Sequence, residues 1–238
     1  MQIYFSTLRP INFKSKNNPV KSFAVSTPKG ELHVREFTEV DAICTKEAKK
    51  LATFFLDSFI NNTKDPWFLS LKKNKEKYNN AITHFTDYYR SMFEKDDGNL
   101  TMLVAHNKDK KLCGAVVTNT LNESGVNDSL TCYIDSVAVS PEFRKCGVGR
   151  LLMDKAIYCS NDVYKDAFLA SDNMAVPFQL KNGFKPLDYS NINEQKIINK
   201  INADRGDYPA YITFMYKNLK ETENVDVWAE RVTNLSNL

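Results

Sequence analysis

Residues 133–152 read Tyr-Ile-Asp-Ser-Val-Ala-Val-Ser-Pro-Glu-Phe-Arg-Lys-Cys-Gly-Val-Gly-Arg-Leu-Leu. The β-branched run from Tyr133 to Val139 predicts a strand. Pro141 marks a turn, and the amphipathic stretch from Gly149 to Ser160 predicts a helix. Between strand and helix stand two of the chain's 8 glycines, Gly147 and Gly149. Glycine adopts φ > 0 and lets main chain come close to a ligand. Backbone N–H groups turned out of such a loop at a helix start form an anion site. Arg144, Lys145 and Arg150 add positive charge suited to a phosphate.

The spacing excludes two familiar phosphate loops. There is no Gly-x-x-x-x-Gly-Lys-Ser/Thr and no Gly-x-Gly-x-x-Gly. What stands here is Arg144-x-x-Gly147-x-Gly149, preceded by Asp135-Ser-Val-Ala-Val-Ser-Pro141 and followed by Leu151-Leu-Met153. That pattern resembles the acyl-CoA pyrophosphate loop of the GNAT family, the Gcn5-related N-acetyltransferases. Ala170-Ser-Asp-Asn173-Met-Ala175, and then Gln179-Leu-Lys-Asn-Gly183-Phe184, resemble the family's second conserved block. The resemblance runs from about Leu32 to Leu219; it is strong from Tyr133 to Phe184 and topological elsewhere.

The resemblance implies an α/β chain of the α+β type, with a mixed, mostly antiparallel central sheet of about six to seven strands flanked by helices. It implies acetyl-CoA as co-substrate, an amine as acceptor and direct attack in a ternary complex. The main chain of Val137, Ala138 and Val139 would then lie along the pantetheine. Phe143, Arg144, Lys145, Cys146, Gly147, Val148, Gly149 and Arg150 would hold the diphosphate, and Asn173 would touch the CoA arm or cap a helix. The amine has to lose a proton, so a base or a water relay is needed. Asp135 is the candidate, with binding of substrate or simple packing as the other readings. Strand alternation groups it with Tyr133, Val137 and Val139 on one face. Glu123 is a weaker candidate.

One departure matters. Many relatives carry a Tyr four residues before the Gly-Phe pair, proposed to protonate the departing thiolate. This chain has Gln179 there, and an amide is no acid at neutral pH. Tyr208, Tyr211 and Tyr216 are possible substitutes. The departure also keeps open a non-catalytic acyl-CoA-binding or regulatory module of the same fold.

Composition sets outer limits. With 238 residues the chain holds one full core plus extra elements. A net charge of +3 is too small to argue for nucleic acid, and no apolar run reaches the ~20 residues of a membrane span. The 5 cysteines show neither paired spacing nor a zinc pattern; scattered thiols fit a reducing, cytoplasmic setting. No metal is expected, and either a monomer or a homodimer is compatible. Residues 1–30 read as a basic N-terminal arm with one short strand near Ser22–Ser26, 31–220 as the acyltransferase domain, and 221–238 as an acidic tail. Helices are expected around Ala48–Phe59 and from about Leu71 to Glu94, with a turn at Asp65–Phe68. A hairpin is expected at Asn107–Lys110. The polar stretch Asp188–Asp207 reads as a long loop with a helical pattern at Ile192, Ile197, Ile198 and Ile201. This stretch and Asn61–Leu71 are the expected acceptor walls, and their acids would suit a cationic amine.

Overall fold

The computed structural model describes residues 22–95, 99–120, 130–158, 164–205, 212–220, 226–227 and 229–230. A mixed sheet of eight strands carries the fold: β1 (Phe23–Thr27), β2 (Gly30–Glu36), β3 (Thr101–Asn107), β4 (Leu112–Thr120), β5 (Thr131–Val139), β6 (Asp166–Asp172), β7 (Lys185–Pro186) and β8 (Ile212–Asn218). Their order is β1-β2-β3-β4-β5-β6-β8-β7. Every pairing is antiparallel except β5 with β6. The count exceeds the expected six to seven. The eighth is β1, which pairs with β2 inside the stretch read as an arm.

Helices flank the sheet: α1 (Glu39–Ile43), α2 (Thr45–Ile60), α3 (Pro66–Leu71), α4 (Lys75–Glu94), α5 (Val148–Tyr158), α6 (Val176–Lys181) and α7 (Ile192–Arg205), and residues 226–227 and 229–230 are helical as well. Local chemistry explains their starts. Thr38 and Asp41 form a capping box on α1. Asp65 accepts from the Trp67 N–H with Pro66 in the first turn, so the expected turn is the start of α3. Asn74 caps α4. At the end of α6, Gly183 has φ +85, and the N–H groups of Phe184 and Gly183 bond Gln179 O and Leu180 O. This is a Schellman stop. The stretch Asp188–Asp207 is mostly helix rather than loop.

Two cores lie on opposite faces of the sheet. Leu152, Met153, Ala156 and Ile157 of α5 pack with Cys132, Ile134, Val116, Ala167 and Leu169. On the other face Leu51 and Phe55 of α2 and Tyr89 and Met92 of α4 cover Ala115, Val117 and Ala138. Ile197, Ile198 and Ile201 of α7 cover Tyr133, Phe168 and Phe214 on this same face. Gly114 lets α5 lie close to β4, since a Cβ there would stand 2.9 Å from Leu152 Cδ1.

One irregularity overturns the expected alternation. Val117 pairs with Ser136 but Thr118 pairs with Ile134, which leaves Asp135 as the extra residue of a β-bulge. A bulge shifts every later side chain to the opposite face. Tyr133, Asp135, Ser136 and Ala138 therefore face α2, α4 and α7, while Val137 and Val139 pack on the α5 side.

Candidate active site

The joint between β5 and β6 is the shortest among the long strands. They pair only at Thr131–Asp166, Cys132–Ala167 and Tyr133–Phe168. Ile134–Val139 of β5 and Leu169–Asp172 of β6 continue without pairing to each other. The joint therefore opens into a fork with the bulge at Asp135 near its apex.

The glycine loop closes the β5 arm. Ser140 N donates to Cys113 O, and a single 3-10 turn spans Pro141–Phe143. Lys145 then takes φ +61 and Gly147 φ +80, after which α5 begins, its first bond running from Leu151 N to Gly147 O. The left-handed φ of Lys145 is uncommon for a residue with a Cβ, and the two reversals bring the chain round to the start of α5. Gly149 has a different role from Gly147: a Cβ there would lie 3.0 Å from Phe178 Cζ and 3.3 Å from Val139 Cγ2. It brings the start of α5, the end of β5 and α6 to one point.

The structure distributes the expected cofactor residues unevenly. Lys145 and Arg150 are exposed beside the loop, and Arg150 pairs loosely with Asp154 at 3.5 Å. Arg144 is engaged within the protein. Its Nε donates to Val139 O at 3.0 Å and its guanidinium to Asn62 Oδ1 at 2.9 Å. Phe143 and Val148 are buried in the core, and the Phe143 N–H bonds Ser140 O. Cys146 is half-buried, its Sγ 3.5 Å from Arg144 O. Asn173 is not a helix cap: Ala175 holds the position before α6, and Asn173 Oδ1 accepts from Thr213 Oγ1 at 2.6 Å.

Asp135 sits in a chain of hydroxyls. Tyr88 Oη donates to its Oδ1 at 2.5 Å and Ser136 Oγ to its Oδ2 at 2.7 Å. Ser136 has one proton, already given to Asp135, so the 3.1 Å bond between Tyr89 and Ser136 is donated by Tyr89. Burial, and then the Asp135 carboxylate, hold the Tyr89 phenol well above its ordinary pKa. Tyr88 and Ser136 were not legible as site residues in the sequence.

The loop after α2 reaches both arms of the fork. Besides the Asn62–Arg144 bond, Thr63 Oγ1 donates to Asp172 Oδ2 at the end of β6, at 2.6 Å. Several acids expected at the acceptor walls are occupied otherwise. Asp65 caps α3, and buried Glu194 accepts from Asp188 N. Tyr216 packs against the cluster under α7, where burial first, and then Glu194, Asp166 and Asp226, push its phenol up. Glu123, Tyr208 and Tyr211 lie outside the described residues. No described helix is long and apolar enough to cross a membrane.

A strand, a glycine loop and a helix are wrapped around a forked joint. The model of the acetyltransferase (GNAT) family matches residues 59–184, and the chain belongs to that family. Among solved structures, the PaiA N-acetyltransferase of Thermoplasma acidophilum in complex with coenzyme A matches at TM-score 0.52 and 12% identity, over 79% of this chain and 98% of that one. An acetyltransferase of the GNAT family from Staphylococcus aureus Mu50 matches at TM-score 0.45 and 14% identity, over 79% and 99%. The first likeness is one of fold. No curated protein matches the sequence.

Proposed function

We propose that the chain moves an acetyl or other short acyl group from CoA to a primary amine, by direct attack in a ternary complex. The observation that carries this reading is the fork between β5 and β6 with the glycine loop across the end of one arm. An acyl-CoA fits such a place. The edge of β5 not paired to β6 offers main-chain groups of Val137 and the Val139 N–H to the pantetheine amides, Val139 O being taken by Arg144, and N–H groups between Lys145 and Arg150 offer donors to the diphosphate. Lys145 and Arg150 add charge, while Arg144 braces the loop.

Attack forms a C–N bond and breaks the C–S bond, and the thiolate leaves. The amine proton passes to Asp135, which stands at the apex on the face opposite Val137 and Val139. Cofactor and amine thus approach from opposite sides of the sheet. Gln179 cannot supply a proton to the thiolate, which is a good enough leaving group to depart without one. The reaction suits a cytoplasmic setting, where acetyl-CoA is made and used.

The same Gln179 favours a second reading, a non-catalytic acyl-CoA-binding module. Thermal unfolding with and without acetyl-CoA, on the wild type and on Gly147→Glu, tests the cofactor. A rise that the mutant lacks is expected; no rise on a folded wild type overturns it. Release of free thiol from acetyl-CoA across an amine panel then separates enzyme from binding module.

A further inference from the structure

The chain of hydroxyls at the bulge has a closed end and an open one. Ser136 is 7% exposed and Tyr89 1%, whereas Asp135 and Tyr88 are half-buried. The carboxylate is fed from both ends. Tyr89 donates to Ser136 and Ser136 to Asp135 Oδ2, while Tyr88 donates to Asp135 Oδ1. A proton reaches such a carboxylate most directly along a hydrogen bond already made, so the two donors are the two routes in. The Ser136 route ends in the core. Its oxygen would have to be reprotonated by Tyr89, and burial opposes the phenolate that Tyr89 would become. The Tyr88 route leads outward from the same carboxylate to a half-buried phenol on α4.

We propose that Tyr88 is a catalytic residue of the transfer: its phenol oxygen takes the proton of the attacking amine as its own proton passes to Asp135 Oδ1. The step balances. An N–H bond of the amine breaks, and its electrons stay on nitrogen, neutralising the charge that attack creates there. A new O–H bond forms on Tyr88 while the old one breaks, and an O–H bond forms on Asp135. The phenol is neutral before and after, and the carboxylate ends as the acid. The 2.5 Å separation of Tyr88 Oη and Asp135 Oδ1 lies at the short end for a hydroxyl on a carboxylate, so the proton has little distance to cover. The proposal rests on the acyl-transfer reading above. It makes the first proton acceptor a residue of α4, 47 positions before the carboxylate that keeps the proton.

A relay moves two protons at once, and a mere hydrogen-bond donor moves none. The test is single-turnover transfer from acetyl-CoA to the fastest amine of a panel (a polyamine, an amino-acid amide, a lysine peptide) in mixtures of light and heavy water. In wild type the rate is expected to fall along a bowed line as the deuterium fraction rises, the mark of two protons in flight. Tyr88→Phe is expected to be about tenfold slower and to give a straight line, because the amine's proton then goes to Asp135 directly. Tyr88→Leu repeats the measurement should the Phe variant fail to fold. Ser136→Ala removes the other donor; it slows the rate but keeps the bow. A straight line in wild type overturns the proposal, as does a bow that survives the loss of the phenol. No thiol release by wild type with any amine, despite bound acetyl-CoA, breaks the transfer reading itself. Turnover with a straight line breaks only the role of Tyr88.

Discussion

The glycine loop and the bulge at Asp135 lie on one strand, yet they are built on opposite plans. In the loop the proposed contacts are main-chain N–H donors, in a backbone shaped by two left-handed residues, Lys145 and Gly147. Its largest side chains are turned away: Phe143 and Val148 into the core, Arg144 onto Val139 and Asn62. At the bulge the useful groups are side chains, brought from α4 and β5, 47 residues apart, into one chain of hydroxyls around a carboxylate. The contrast teaches where each region is vulnerable. The loop is broken by changing backbone freedom, and the bulge network by deleting a single polar atom.

That division of labour sets the expected effects. Asp135→Asn should lower kcat with a responsive amine by roughly a thousandfold, the scale of a lost general base, while acetyl-CoA affinity by calorimetry holds. A parallel loss of affinity would merge the two regions into one. Gly147→Glu should do the reverse, costing roughly a hundredfold in acetyl-CoA affinity, because a Cβ at positive φ is strained and a carboxylate faces a diphosphate. Tyr88→Phe removes one donor from Asp135 and should lower kcat about tenfold, within the range of a hydrogen bond to a charged group; an unchanged kcat would make Tyr88 a packing residue. Tyr89→Phe removes a buried hydroxyl bonded to Ser136 and should cost about 1 kcal/mol of stability in denaturant unfolding. The smallest effect is expected at Cys146: saturating acetyl-CoA should slow its alkylation, and exposed Cys44 should react at the same rate throughout.

The same contrast explains what the sequence disclosed. A backbone site leaves a local mark, because glycine is needed at Gly147 for its φ and at Gly149 for the approach of Phe178. The strand, loop and helix around it were therefore readable within twenty consecutive residues. The bulge was not, since one extra residue in β5 shows only against its partner β4. Alternation consequently placed Val137 and Val139 on the face of Asp135, and the register of Thr118 with Ile134 corrects it. The Asn62–Arg144 and Thr63–Asp172 bonds join residues 82 and 109 positions apart, a distance over which a single chain carries no periodic signal. The helix α7 was half-readable: Ile197, Ile198 and Ile201 showed its buried stripe, but the polar rest read as loop.

The parallel joint has a mechanical consequence. Neighbouring strands joined by a hairpin are stitched at their turn, whereas β5 and β6 run parallel and are linked through α5. The sheet is therefore two panels, β1 to β5 and β6 with β8 and β7, sewn along a seam of three residue pairs. A seam so short is where the molecule should breathe first, and hydrogen exchange would find it there. Anything laid along the open part of that seam touches both panels. Its binding energy then acts as thread, and protection gained on binding should spread across the whole sheet rather than stay at the loop.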